Sequence, residues 1–298
     1  MLTDDDVPAV WEELGLPGIL DVHVHFMPES VMRKVWAYFD AAGYGVEWKI
    51  SYRGDDDDRL ERLRRLGVRR FPSLVYPHKP DMAAWLNDWA DEFADRVPEA
   101  WRTFTFFPEP AATDYVRVAL ERGAEVGKAH LQVGAYDPRD PLLEEVWGMC
   151  ADAGVPIVTH CAGSPVPGPY TGPGPIGEVI ARHPALKIVV AHLGNPETEE
   201  FLDLAERHPE VRLDTTMAFT DFDATRPAVV PDLARLRDLQ QKILFGSDFP
   251  NIPYDYGHAV ESITRLDLGD DWCRDVLWHN AARLLGAEPA GRRSARMG

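Results

Sequence analysis

Gly18-Ile19-Leu20-Asp21-Val22-His23-Val24-His25-Phe26 is the stretch on which the reading of the chain turns. It reads as a buried strand ending in two histidines spaced i, i+2. Successive side chains on a strand alternate faces, so His23 and His25 project the same way, with Asp21 behind them. Two imidazoles on one face of a strand end make half of a metal site. The plainer use, two polar residues at a strand terminus, serves an isolated His-x-His equally well. Three further apolar runs tip the balance: Ile157-Val158-Thr159-His160, Ile188-Val189-Val190-Ala191-His192 and Ile243-Leu244-Phe245-Gly246-Ser247-Asp248. Four strands that deliver four histidines and an aspartate at their C-terminal ends are hard to explain by packing alone.

Outward from these runs the chain alternates. Strand-like segments at 68–76, 101–107, 125–133, 155–160, 186–192, 211–215 and 242–248 are separated by helical ones at 55–66, 81–96, 113–122, 142–153, 176–182, 198–207 and 232–239. Asp55 to Asp58 precede leucines at helical spacing, which suits a helix N-terminus rather than a cation site. Trp85, Trp89 and Phe93 at i, i+4 spacing predict a core-facing stripe. About eight strands with helical crossovers call for parallel pairing, closed as a (β/α)8 TIM barrel with its chemistry at the C-terminal strand ends. A doubly wound open sheet is the competitor, but it would not bring the first and last strands together. Residues 1–298 are read as a single domain, with 1–17 a lead-in and 289–298 a tail. A loop insertion after strand one, 41–52, carries Tyr44, Trp48 and Tyr52 and is placed over the mouth or in a surface cluster of its own. The Pro/Gly-dense stretch from 165 to 175 is expected to be irregular, either overhanging the mouth with Tyr170 as a substrate contact or serving as a stiff connector.

Composition narrows the class. The chain has 298 residues, 45% hydrophobic and 27% charged, with a formal net charge of −18. That acidity argues against a nucleic-acid partner. No run approaches the roughly 18 apolar residues of a membrane span. Cys150, Cys161 and Cys273 are odd in number and far apart, so no disulfide framework is expected, and Cys161 reads as a small core residue. The acidic N-terminus lacks the order of a signal peptide, and a cytoplasmic location is expected. Partners are then a small-molecule substrate and, at most, a second copy of the chain in a homodimer.

Neutral imidazoles and a carboxylate suit one divalent metal ion, zinc first, with manganese, iron or cobalt as alternatives. The expected ligands are His23, His25, His160 and Asp248, with a further position for water. His192 is held out as the group that moves a proton, and Asp248 is the alternative base. Lys128 and His130 share a face of the fourth strand. Lys128 is read as a substrate-anion contact, a structural ion pair or a carbamylated bridge between two metals. His78 is a candidate for the substrate rim. His183 and His208, each before a proline, are helix-end residues.

Asp21-Val22-His23-Val24-His25, Gly127-Lys128-Ala129-His130, Pro156 to His160, Lys187 to Asn195 with its His192-Leu193-Gly194, Ile243 to Pro250 with its Gly246-Ser247-Asp248-Phe249-Pro250, and Asn280 to Leu285 together resemble the amidohydrolase superfamily. The branch they resemble is amidohydrolase-2, which includes aminocarboxymuconate semialdehyde decarboxylase. The resemblance implies a mononuclear divalent-metal barrel with His23, His25, His160 and Asp248 as ligands and His192 as the catalytic histidine. It leaves two chemistries: hydrolysis of a small amide, ester or lactone through metal-activated water, or non-oxidative decarboxylation of a small unsaturated or aromatic acid. Decarboxylation should need a cation for the departing carboxylate, and Arg69, Arg70 and Lys128 are the candidates. A barrel that keeps metal only as a binding or scaffold protein is a third option, disfavoured by the complete ligand and base set. The aromatics Trp36, Tyr44, Trp48, Tyr170, Tyr254 and Tyr256, placed after strands, hint at a ring-containing substrate.

Overall fold

A computed structural model describes residues 2–41, 48–221 and 231–287. Nine short strands run in chain order: β1 (Ile19–Leu20), β2 (Val68–Pro72), β3 (Ala100–Trp101), β4 (Thr103–Thr105), β5 (Val126–His130), β6 (Ile157–His160), β7 (Ile188–Val190), β8 (Val211–Asp214) and β9 (Ile243–Leu244). Each pairs in parallel with its sequence neighbour, in two sheets, β1 to β3 and β4 to β9. The strand expected over 101–107 is divided at Arg102. There the backbone N–H donates to the Glu125 carboxylate at 2.9 Å instead of to a strand carbonyl. With β3 and β4 taken as one broken strand, the eight expected strands are present.

The ring closes between the first strand and the last. The Val22 N–H donates to Phe245 O at 2.9 Å, Asp248 N–H to His23 O at 2.8 Å and His25 N–H to Phe249 O at 2.7 Å. Parallel pairing of Val24 with Phe249 continues that seam. Regular strand geometry in β1 stops at Leu20, earlier than the sequence predicts, and the chain from Asp21 to Phe26 continues to the seam through a bend at Val22 and a single bridge at Val24. β2 is likewise shorter than expected, ending at Pro72.

Two apolar layers follow from parallel strands covered on both faces. Leu20, Val22, Leu74, Trp101, Val126, Val158, Val189 and Leu244 form an inner cluster, against which Ala281 of the last helix packs. Ile19, Phe71, Phe104, Ile157, Ile188 and Leu213 face outward onto helices through Leu63, Phe93, Val116, Trp147, Val179 and Phe201. The stripe predicted for the helix Ala83–Arg96 is rotated by one position. Leu86, Ala90 and Phe93 are buried, Trp89 stacks on Phe93 at 5.3 Å, and Trp85 is 47% exposed. One residue along a helix turns about 100°, which carries Trp85 off the buried face.

The carboxylate run at 55–58 caps a helix as expected. The Asp55 side chain accepts the Asp58 N–H at 2.9 Å at the start of Asp56–Leu66, and Gly67, at φ 81°, ends it. Asp55→Ala is expected to cost about 1 kcal/mol, read as a shift in the urea midpoint with unchanged slope. The proline-rich stretch is not wholly irregular: a helix begins at Pro173, where a missing N–H costs nothing. Cys150, Cys161 and Cys273 are free and buried. Among the described residues no helix is long and apolar enough to cross a membrane. Tyr44 and the tail at 289–298 lie outside the described residues.

Candidate metal centre

Asp21 sets the position of everything at the seam. It is fully buried and accepts four hydrogen bonds: His23 N–H at 3.0 Å, Ser247 N–H at 3.2 Å, Ser247 O–H at 2.6 Å and Tyr256 O–H at 2.9 Å. Burial pushes its carboxyl up to about 7, against the pull of the Ser247, His23 and Tyr256 donors. The ends of β1 and β9 are thereby held together, and with them His23 and Asp248.

His23, His25 and Asp248 each bring one ligand atom into a cluster whose members lie within 4.8 Å of one another. His25 Nε2 is 2.8 Å and His23 Nε2 3.6 Å from Asp248 Oδ1. The outer nitrogens are tied down by groups that only accept: His25 Nδ1 donates to Leu74 O at 2.7 Å and His23 Nδ1 to Asp214 Oδ2 at 2.9 Å. Both protons are therefore placed on Nδ1, and both Nε2 lone pairs face inward. Burial drives the His23 imidazole well below its ordinary value, with Lys128 adding to the effect, so it is neutral at pH 7. Burial alone would raise the Asp248 carboxyl, but His25, His23 and His192 outweigh it and hold it at about 2.

His160 stands beside this cluster rather than in it. Its Nε2 donates to Ser164 O at 2.8 Å, and its ring stacks on His130 at 4.2 Å and meets His192 edge-on at 4.7 Å. His192 lies 5.2 Å from His23, ring to ring. Burial lowers the imidazoles of His160, His192 and His130, leaving neutral rings. His192 sits in a tight turn, Ala191–Gly194, with φ 58° and ψ 32°, and Asp248 has φ 68°. Left-handed backbone at non-glycine residues is costly and persists where surrounding contacts fix it.

These groups open onto a cavity of about 510 Å³, within the range of about 300–1,000 Å³ usual for ligand pockets. His23, His25, His130, His160, His192 and Asp248 line its floor, and Phe39, Trp48, Tyr76 and Met217 its apolar wall. Asn251 is fixed there by two indoles: Trp36 Nε1 donates to its side-chain oxygen at 3.1 Å and Trp48 Nε1 to its carbonyl at 2.7 Å.

Other expected contacts are placed elsewhere. Lys128 is fully buried beneath the floor, its Nζ donating to His23 Nε2 at 3.3 Å, and burial brings it down to about 8. His78 is exposed and Tyr170 half-buried, and neither is among the residues lining the cavity. Arg69 donates to Pro17 O at 2.7 Å. Arg70 reaches Glu125 at 3.2 Å and lies 5.2 Å over the Trp101 ring. Both arginines are thus taken up by partners other than the histidines, Arg69 at the Pro17 carbonyl and Arg70 at the Glu125 carboxylate.

Sequence reading passed over Asp214, Tyr76, Asn251 and Gly246. Asp214 closes Val211-Arg212-Leu213, a segment broken by an arginine rather than an apolar run, and was absorbed into its strand. Gly246 is needed for close approach: a Cβ there would lie 2.4 Å from Thr216 Oγ1 and 2.8 Å from His23 Cβ. Tyr76 and Asn251 follow strand ends by several residues, where spacing gives no direction.

Two inward imidazole lone pairs and a carboxylate, each buttressed from behind, are the donor set of a divalent cation, and the residues fit such an ion. Comparison with solved structures agrees on the fold. An uncharacterised TIM-barrel protein, Bb4693, from Bordetella bronchiseptica superposes with a TM-score of 0.70 at 19% identity, over 91% of this chain and 99% of that one. 5-Carboxyvanillate decarboxylase LigW from Sphingomonas paucimobilis gives 0.63 at 16% identity, over 90% and 99%. A probable 2-pyrone-4,6-dicarboxylic acid hydrolase from Acinetobacter baumannii, with citric acid bound, gives 0.60 at 11%, over 90% and 99%. No curated protein matches the sequence. The family model described as Amidohydrolase matches residues 20–287, nearly the whole barrel with its seam and both halves of the ligand set, and the chain belongs to that amidohydrolase family.

Proposed function

We propose that the protein is a divalent-metal-dependent hydrolase acting on a small ester, lactone or amide. The reading is carried by one observation: His23 Nε2, His25 Nε2 and an Asp248 oxygen converge within 4.8 Å on the floor of a cavity. His23, His25 and Asp248 would hold the ion. His160 would supply a fourth donor through Nδ1, which the Nε2–Ser164 bond leaves unprotonated. When bound, such an ion polarises a carbonyl and lowers the pKa of water, with zinc the first choice for this donor set. His192, neutral and facing the same cavity, takes a proton from water and returns it to the leaving oxygen or nitrogen. Phe39, Trp48 and Tyr76 flank a planar ring, and Asn251 offers a fixed amide to its polar edge.

Decarboxylation is the second reading, since the fold is shared with the decarboxylase named above. Of the three cations that chemistry would recruit for a departing carboxylate, Arg70 and Arg69 are engaged with Glu125 and Pro17, and Lys128 is sealed beneath the floor against His23 and does not line the cavity. The hydrolase reading therefore stands first. The test is to measure metal content, strip the metal with a chelator, reload it, and assay panels of lactones, esters and aromatic acids. Acid production that falls with chelation and returns with the ion is the expected result. Carbon dioxide released without consumption of water would replace hydrolase by lyase.

A further inference from the structure

We infer that Asp214, on β8, is a positioning residue that fixes which nitrogen of His23 is free to bind metal and at the same time braces the turn carrying His192. The inference rests on the proposed role of His23 as a ligand. Asp214 is fully buried, and its two carboxylate oxygens are divided between two jobs. Oδ2 faces His23 Nδ1 at 2.9 Å. Oδ1 accepts two backbone donors, His192 N–H at 2.9 Å and Thr216 N–H at 3.1 Å.

This division has a chemical consequence. A carboxylate only accepts, so it selects the His23 tautomer with its proton on Nδ1. The Lys128 ammonium, 3.3 Å from His23 Nε2, has only protons to offer and needs the same tautomer. On the other side, the two backbone donors on Oδ1 come from segments that must fold back at the site. His192 at φ 58° and Met217 at φ 55°, next to Thr216, are both left-handed. One side chain thus orients a ligand imidazole and anchors the strained backbone of the proposed proton carrier.

Asp214→Asn separates the two jobs without changing shape. The amide oxygen can serve both backbone N–H groups, so the amide NH₂ must face His23. An NH₂ there needs a lone pair on Nδ1, which moves the proton to Nε2, breaks the hydrogen bond from Lys128 and removes the metal-binding lone pair. The expected result is metal affinity weakened about 10–100-fold, by competition with a chromophoric chelator. Thermal unfolding of the metal-free protein should stay close to the parent. Long-range ¹H–¹⁵N spectra of metal-free protein labelled at histidine should show His23 protonated at Nδ1 in the parent and at Nε2 in the variant. Parent-like metal affinity in Asp214→Asn would overturn the inference. If that variant does not fold, the parent spectrum decides alone: His23 protonated at Nε2 overturns the assignment, and protonated at Nδ1 supports it. Neither measurement uses turnover, so a failure of the hydrolase reading is distinguishable from a failure of this one.

Discussion

Replacing His192 by alanine is expected to lower kcat by about 10²–10⁴-fold while the metal stays bound, the usual contribution of a positioned general acid–base group. His192 lines the cavity beside His23 and His160 but is not one of the three convergent donors. Burial keeps it neutral, so it can accept a proton at pH 7. Its backbone is held left-handed by a bond to Asp214, an arrangement that serves aim rather than packing. Asp248→Ala is the contrasting variant: it removes a donor from the cluster and should lose both metal and turnover. Metal analysis beside steady-state kinetics reads both. A His192→Ala protein with full activity would remove the residue from the mechanism.

Gly246→Ala is expected to damage the metal centre without replacing a ligand. The added methyl would sit 2.4 Å from Thr216 Oγ1, 2.8 Å from His23 Cβ and 3.3 Å from Asp214 Cβ. Thr216 can rotate its hydroxyl away, but His23 Cβ is tethered to a backbone already bonded to Asp21 and Asp248. Relief must come by moving His23, Asp214 or the β9 backbone, each of which spreads the cluster. Overpacking of this kind costs about 1–3 kcal/mol. The greater loss should appear in metal affinity, because donor distances tolerate only about 0.2 Å of error. A metal titration on the variant, with thermal unfolding of the metal-free form, separates the two effects. Unchanged affinity would mean that the strand moves as a unit and the site moves with it.

Much of this site was legible because strand ends in a parallel barrel are marked twice, by an apolar run and by the polar residue that stops it. His23, His25, His160, His192 and Asp248 all carry that mark, and the fold places all five on one cavity. Their roles were less legible than their places. His160 sits at the right depth, but the Ser164 carbonyl takes its Nε2, and no spacing rule records a bond made by a proline-rich loop. Lys128 has the alternation of a substrate contact, yet it ends beneath the floor because β5 points it at His23. His78 was offered for the rim, and Tyr170 either for the mouth or for a stiff connector, from their positions after strands. Loop side chains have no periodicity to aim them, and Tyr76, two residues before His78, reaches the cavity in its stead. Asp214 was missed for the opposite reason: its strand looked complete without it.

The hydrogen bonds at the seam also govern when the catalyst can exist. Asp21 and Ser247 are 226 positions apart, and until they meet, His23 and Asp248 belong to opposite extremities of an unfinished ring. A chain emerging from the ribosome could fold β1 to β8 with their helices and still have no competent centre. Capture of the ion would then come last, acting as a rivet across the join, and translation arrested before β9 should leave a polypeptide unable to retain it.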